Sequence, residues 1–147
     1  MQINQVKSYA AMDFISKNPN SSLLIDVRCE EEFNFVGICD LSNDSGHYLP
    51  LPWRIYPTMD LNSQFTIELE NYLEENFGEL QKIKGNINLF FICRSGARSN
   101  EAAHHFAGLG YENCHNVSDG FEGDLDNCQK RSNISGWKFN KLPWKQT

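Results

Sequence analysis

The sequence predicts an α/β fold with a central, mainly parallel sheet flanked by helices. Three observations carry this. Residues 89–92 are a short, continuous apolar run, and residues 23–27 a second apolar stretch broken only by Asp26, the pattern of strands buried on both faces. Residues 66–76 and about 98–110 have helical character and sit where crossovers would be needed. Strands separated by helices build parallel sheets, whose ligands bind at the C-terminal ends of the strands.

The elements follow in order. Residues 3–6 form a short first strand. Ser8 reads as the cap of a helix over 9–17, with Ala10, Phe14 and Ala11 as candidates for its inner face. Asn18-Pro19-Asn20 stops that helix. Residues 23–27 are the next strand, with Asp26 and Arg28 at its C-terminal end. Residues 30–35 form a short helix that Gly37 stops. Residues 37–65 are an irregular, aromatic-rich insertion, with a polar turn at 43–47. Its prolines suit a strand near 48–51 only away from the sheet interior, followed by an extended loop. The 66–76 helix has an apolar stripe of Ile67, Leu69 or Glu70, Leu73 and Phe77, and Gly78 caps it. Gly85-Asn86 turns the chain into the 89–92 strand. Residues 113–117 form the last parallel strand, 119–135 a polar loop, and 137–140 a short helix.

At 147 residues the chain is sized for one domain spanning 1–147 with its own core. A net charge of −6 lacks the basic footprint of a nucleic-acid binder. No apolar run is long enough for a membrane span, and residues 1–18 lack the apolar core of a signal peptide. Five irregularly spaced cysteines, with no Cys-x-x-Cys, suit free thiols in a reducing cytoplasm.

The most informative stretch runs from 88 to 110. An apolar strand hands over at Cys93 to Arg94-Ser95-Gly96-Ala97-Arg98-Ser99 and then to a helix. Such a turn aims backbone amides and the positive helix end at one spot, which favours negative charge on a sulfur placed there. Arg94 and Arg98 add permanent positive charge, so an anion would be drawn to this place on an otherwise acidic protein.

Cys-Arg-Ser-Gly-Ala-Arg-Ser after a buried strand resembles the active-site loop of rhodanese-like sulfurtransferases. Leu23-Leu24-Ile25-Asp26-Val27-Arg28 with Glu32-Phe33, Asn116-Val117-Ser118-Asp119-Gly120-Phe121, and Gly136-Trp137-Lys138 with Leu142-Pro143 resemble further parts of that family. The resemblance implies a three-layer domain with a five-stranded sheet. It also implies transfer of a sulfane sulfur from an anionic donor such as thiosulfate to cyanide or a thiol, through a Cys93 persulfide. A protein could serve as the sulfur acceptor. No metal or organic cofactor is implied. The family's compact glycine-histidine turn is absent here; Val36-Gly37-Ile38 and the long insertion replace it.

Each site residue has a plainer role to set beside this one. Cys93 could be a small core hydrophobe. Arg94, beside the nucleophile, suits an anionic donor, whereas Arg98 could touch substrate or pin the loop. Ser95 and Ser99 suit turn and helix-start roles, with hydroxyls able to donate to a sulfur anion. Asp26 and Arg28 suit a structural role, in which a pair with Glu32 or with the loop would fix the site floor, set beside a direct catalytic role from their place at the strand end. Cys93-x4-Arg98 is one residue shorter than the Cys-x5-Arg of cysteine-dependent phosphatases, which makes phosphate the weaker fit. A non-turnover sulfur-relay or protein-binding module is the other alternative. Adjacent His104 and His105 point about 100° apart on a helix, a poor start for a metal site. Cys29, Cys39, Cys114 and Cys128 read as core or surface thiols, with a resolving role open. Tyr48, Trp53, Tyr56, Met59 and Phe65 are expected to cover extra core or, less simply, to line a pocket mouth.

Overall fold

A computed structural model describes residues 2–44 and 46–147. Ser45, part of the turn expected at 43–47, lies outside the described residues, as does Met1. Five strands form the central sheet: β1 (Asn4–Val6), β2 (Ser22–Asp26), β4 (His47–Pro50), β7 (Asn88–Ile92) and β8 (Asn113–Val117). Their order is β1-β8-β7-β2-β4 and every pairing is parallel. The remaining strands are two-residue pieces. β3 (Ile38–Cys39) pairs antiparallel with β9 (Trp144–Lys145), and β5 (Arg54–Ile55) with β6 (Asp60–Leu61).

Strand alternation divides the core into two layers. Leu23 and Ile25 of β2, with Leu89 and Phe91 of β7, face α3 (Phe65–Phe77) and α4 (Ala97–Gly108). Leu24, Phe90 and Ile92 face the opposite way, onto α1 (Ser8–Lys17) and onto Phe121 and Trp137 of the C-terminal region. Burial on both sides explains why the middles of β2 (Leu23–Ile25) and β7 (Leu89–Ile92) are apolar without alternation. β4 is an edge strand, which is where its Pro50 can be tolerated.

Several details differ from the sequence expectation. Ser8 does not cap α1 with its own side chain. Its amide and hydroxyl both donate to the Asp119 carboxylate, at 2.8 Å each, so a residue from beyond β8 satisfies the helix start. The buried face of α1 is Ser8, Ala11, Met12 and Ile15; Ala10 and Phe14 point outward. In α3 the inner stripe is Phe65, Leu69, Leu73 and Phe77, and Ile67 is exposed. Leu69, Leu73 and Phe77 face inward as expected, and α1 is the helix whose face sits rotated, because the sheet and not the strongest apolar residue sets the facing direction. The stretch after Leu51 is not simply extended: Arg54 to Leu61 folds back as the β5/β6 hairpin. Residues 137–140 form turns, not a helix; Lys141, with a positive φ of 57°, ends them. No described helix is long and apolar enough to cross a membrane.

Because the sheet is parallel, all its strands end on one side. β2 and β7 are neighbours and Asp26 is level with Ile92. Asp26, Arg28 and Cys93 therefore share the C-terminal edge, where an α/β sheet binds ligands.

Candidate active site

The loop from Cys93 to Gly96 joins β7 to α4 and rests on the turn that follows β8. The Phe121 amide donates to the Cys93 carbonyl at 2.8 Å, and the Glu122 and Gly123 amides donate to the Arg94 carbonyl at 3.0 and 3.2 Å. This seat leaves no room for side chains at two glycines. A Cβ on Gly96 (φ 110°) would stand 2.5 Å from the Ser118 carbonyl oxygen. One on Gly120 (φ 67°) would collide with the Arg94 carbonyl. Both also need a backbone conformation that other residues rarely adopt.

The Cys93 side chain is 1 % exposed. Its sulfur packs beside core residues yet is not left in hydrocarbon alone. The Gly96 amide donates to Sγ at 3.1 Å, and Ser99 Oγ lies 3.2 Å away. Ser99 in turn donates to Asn116 Oδ1 on β8. Of the loop amides expected to converge on the sulfur, Gly96 makes the direct contact. α4 begins at Ala97, so its first-turn amides have no carbonyl of their own helix to reach.

The two arginines of the loop have different surroundings. Arg98 makes a two-point ion pair with Glu32, Nη1 to Oε1 at 2.6 Å and Nη2 to Oε2 at 3.1 Å. It thereby ties α4 to α2 (Glu30–Phe35). Its Nη1 also lies 3.6 Å from Cys29 Sγ. Arg94 is exposed and faces a cavity of about 720 Å³ together with Arg98 and Arg131. Cys29, Glu31, Glu32, Phe35, Val36, Tyr56, Met59 and Glu122 complete its wall. Cys93 itself is not on that wall; Arg94, next to it in the loop, is. Ser95, Gly96 and Ala97 line a separate, polar hollow with Gln5, Asn100, Asn116 and Ser118.

Burial works to raise the Glu32 carboxyl, but hydrogen bonds from Arg98 and the Cys29 amide, with the Arg98 charge, outweigh it and hold the group below its usual range. A lowered carboxylate contributes stability above its unfolded value and loses it as pH falls through the folded one. Urea unfolding between neutral and acid pH should therefore show a shallower acid limb in Glu32→Gln than in the unaltered protein. Matching acid limbs would show that the pair contributes nothing.

Asp26 and Arg28 are both fully buried. Arg28 donates to Asp26 through Nε and Nη2, at 2.9 and 2.7 Å, and to the Gly37 carbonyl at 2.8 Å. Tyr48 donates to Asp26 Oδ2 at 2.6 Å. The guanidinium lies 4.1 Å from the Phe121 ring centre and 5.4 Å from that of Phe33. Phe121 is the residue whose amide holds the Cys93 carbonyl, so the pair supports the loop from behind. Glu32 pairs with Arg98, not with this pair.

The aromatic insertion divides between two roles. Trp53 and Phe65 are buried edge to face, 5.0 Å apart, and Tyr48 serves Asp26, whereas Tyr56 and Met59 line the cavity. His105 contacts Thr66 at 2.8 Å and the Trp53 ring; His104 is exposed. Burial pushes the Cys114 thiol up to about 12 and Cys39 well above its usual range, the mark of inert core thiols. Cys29 is raised by burial, which the neighbouring Arg98 charge only partly offsets. Cys128 is exposed.

Three contributors, Arg131, Glu122 and Glu101, carry no motif of their own. Arg131 and Glu122 reach the cavity from the polar 119–135 segment. Glu101 holds the insertion against α4 by accepting from Trp53 Nε1 at 3.2 Å and Arg54 at 2.8 Å. Asn116 offered one signal, an amide in a strand that must be buried.

The comparisons with known proteins agree with this geometry. The rhodanese-like domain model matches residues 10–126. An uncharacterized protein of Rickettsia rickettsii is 38 % identical over 144 residues, covering 98 % of each chain, and one of Rickettsia prowazekii is 37 % identical over the same length. The crystal structure of Rv0390 from M. tuberculosis superposes with a TM-score of 0.83 at 33 % identity, over the full length of both chains. With the family model spanning β2, β4, β7 and β8, the Cys93 loop and the turn that seats it, the chain belongs to the rhodanese-like domain family.

Proposed function

We propose that this domain is a sulfurtransferase that carries sulfur on Cys93. The observation that supports it most is the Cys93 sulfur at the mouth of α4, receiving the Gly96 amide and flanked by Arg94 and Arg98. The Cys93 thiolate attacks the outer sulfur of thiosulfate. A sulfur–sulfur bond forms to Cys93 as the original one breaks, and sulfite leaves with the electron pair. Cyanide or a thiol then attacks the terminal sulfur, and the Cys93 thiolate departs. Electrons balance over the two displacements with no external oxidant or reductant. The terminal persulfide sulfur is anionic, so loop amides and the positive end of α4 stabilise it.

Arg94 is the residue proposed to hold the donor, since its guanidinium faces the cavity. Arg98 is proposed to position the loop, since Glu32 already occupies it. With Cys93 1 % exposed, the donor reaches sulfur only as loop side chains move aside.

A sulfur-relay or protein-binding module is the second reading. It is favoured by the exposed Phe35 and Tyr56 at a cavity far roomier than thiosulfate needs. Purified protein given thiosulfate and cyanide should release thiocyanate in repeated turnovers, and should not hydrolyse an aryl phosphate at a comparable rate. Persulfide formation without turnover would favour the relay. Faster phosphate release would point to the phosphatase.

A further inference from the structure

A chain of hydrogen bonds behind Cys93 has only one consistent direction. Asn116, 3 % exposed, reaches the Gly96 carbonyl at 3.1 Å and Gln5 Oε1 at 2.8 Å through Nδ2. A carbonyl only accepts, so the Asn116 atom facing Gly96 is nitrogen and the one facing Ser99 is oxygen. That oxygen also only accepts, so the bond between Ser99 and Asn116 uses the single hydroxyl proton of Ser99. Toward Cys93, 3.2 Å away, Ser99 Oγ then presents a lone pair. A thiol can donate to that lone pair; a thiolate is repelled by it. The Gly96 amide acts in the opposite sense, because it favours the anion.

We propose that Asn116 is a positioning residue. By holding the Ser99 proton it turns that hydroxyl into an acceptor and keeps resting Cys93 a thiol. Ionisation then requires Ser99 to swing its proton to sulfur and leave a buried amide oxygen unpaired, a cost the size of one buried hydrogen bond. This rests on Cys93 being the nucleophile, but its test needs no sulfur transfer. The charged and titratable groups on the elements packed around the loop are Arg94, Arg98, Cys29, Glu32, Asp26, Arg28, Asp119 and Glu122. They are common to every variant below, so they drop out of the comparison.

The test is the pH titration of thiolate ultraviolet absorbance in the full chain, with the same protein carrying Cys93→Ala subtracted each time. Asn116→Ala should lower the Cys93 midpoint by about one pH unit, because Ser99 becomes free to donate to sulfur. On a Ser99→Ala background the same change should move nothing further. Asn116→Leu fills the space without an acceptor, adds no charge and should lower the midpoint likewise. An unchanged or higher midpoint in Asn116→Ala, or an equal shift with and without Ser99, would overturn the proposal. Should Asn116→Ala fail to fold, Asn116→Leu decides. A failure of thiocyanate release with the expected titrations would sink the proposed reaction and leave this assignment standing.

Discussion

Replacing Cys93 with serine is expected to remove thiocyanate formation, by on the order of 10³-fold or more, while the protein stays folded. A serine hydroxyl fits the space and can still accept from the Gly96 amide and bond to Ser99, so the local hydrogen bonds survive. Stability should change by no more than about 1 kcal/mol, within the range of a conservative substitution. What serine lacks is a sulfur that can attack the donor, hold the transferred sulfur and then leave. The contrast between lost turnover and kept stability separates a chemical role from a packing one. Thiocyanate assays with urea unfolding in parallel supply both numbers. Undiminished turnover in the serine variant would remove Cys93 from the reaction.

The second large effect is on stability. Arg28→Met should cost about 3–5 kcal/mol in urea unfolding, because it leaves the Asp26 carboxylate buried with Tyr48 as its remaining side-chain partner. Arg28 is also imperfectly satisfied: its Nη1 is buried without a hydrogen-bond partner. A pair desolvated on both sides is weak evidence of net stabilisation, and replacing both members can be harmless. Asp26→Leu combined with Arg28→Met should therefore recover much of the loss. If the single change cost less than about 1 kcal/mol, the pair would not be what supports Phe121 and the loop. The turnover of the double variant carries separate information. It measures how far Arg28 and Asp26, through their pair and the stacking of Arg28 on Phe121, keep the Cys93 loop in its seat once stability is restored.

The sheet was legible because β2 and β7 are buried on both faces, so Leu23–Ile25 and Leu89–Ile92 are apolar with no polar alternation. The Cys93 loop was legible because its chemistry is local: nucleophile, arginines, glycine and helix start are consecutive. What stayed hidden depends on contacts distant in sequence. Asp119 caps α1 across more than a hundred residues, and no pattern near Ser8 announces it. The partner of Arg98 is Glu32, sixty-six residues away, so its role could not be separated from substrate contact by reading the loop. The two-residue strands of the insertion are too short for any periodicity to mark them. Ala10 and Phe14 were misplaced for a different reason: α1 is short, and two apolar stripes on it compete until the sheet decides between them.

The inert burial of Cys39 and Cys114 and the cavity position of Cys29 also bear on the chemistry. Of the four other cysteines, Cys29 lines the space that Arg94 faces and lies within reach of Arg98. Sulfur arriving on the protein must therefore be located by residue and not only counted.

Intact mass of the purified chain after thiosulfate treatment, followed by mapping of the modified peptide, tests the central claim most directly. The account predicts a gain of one sulfur atom on the peptide that contains Cys93, reversed by cyanide and absent in Cys93→Ser. A chain that gains no sulfur, or gains it at Cys29 or Cys128 with Cys93 untouched, would contradict it.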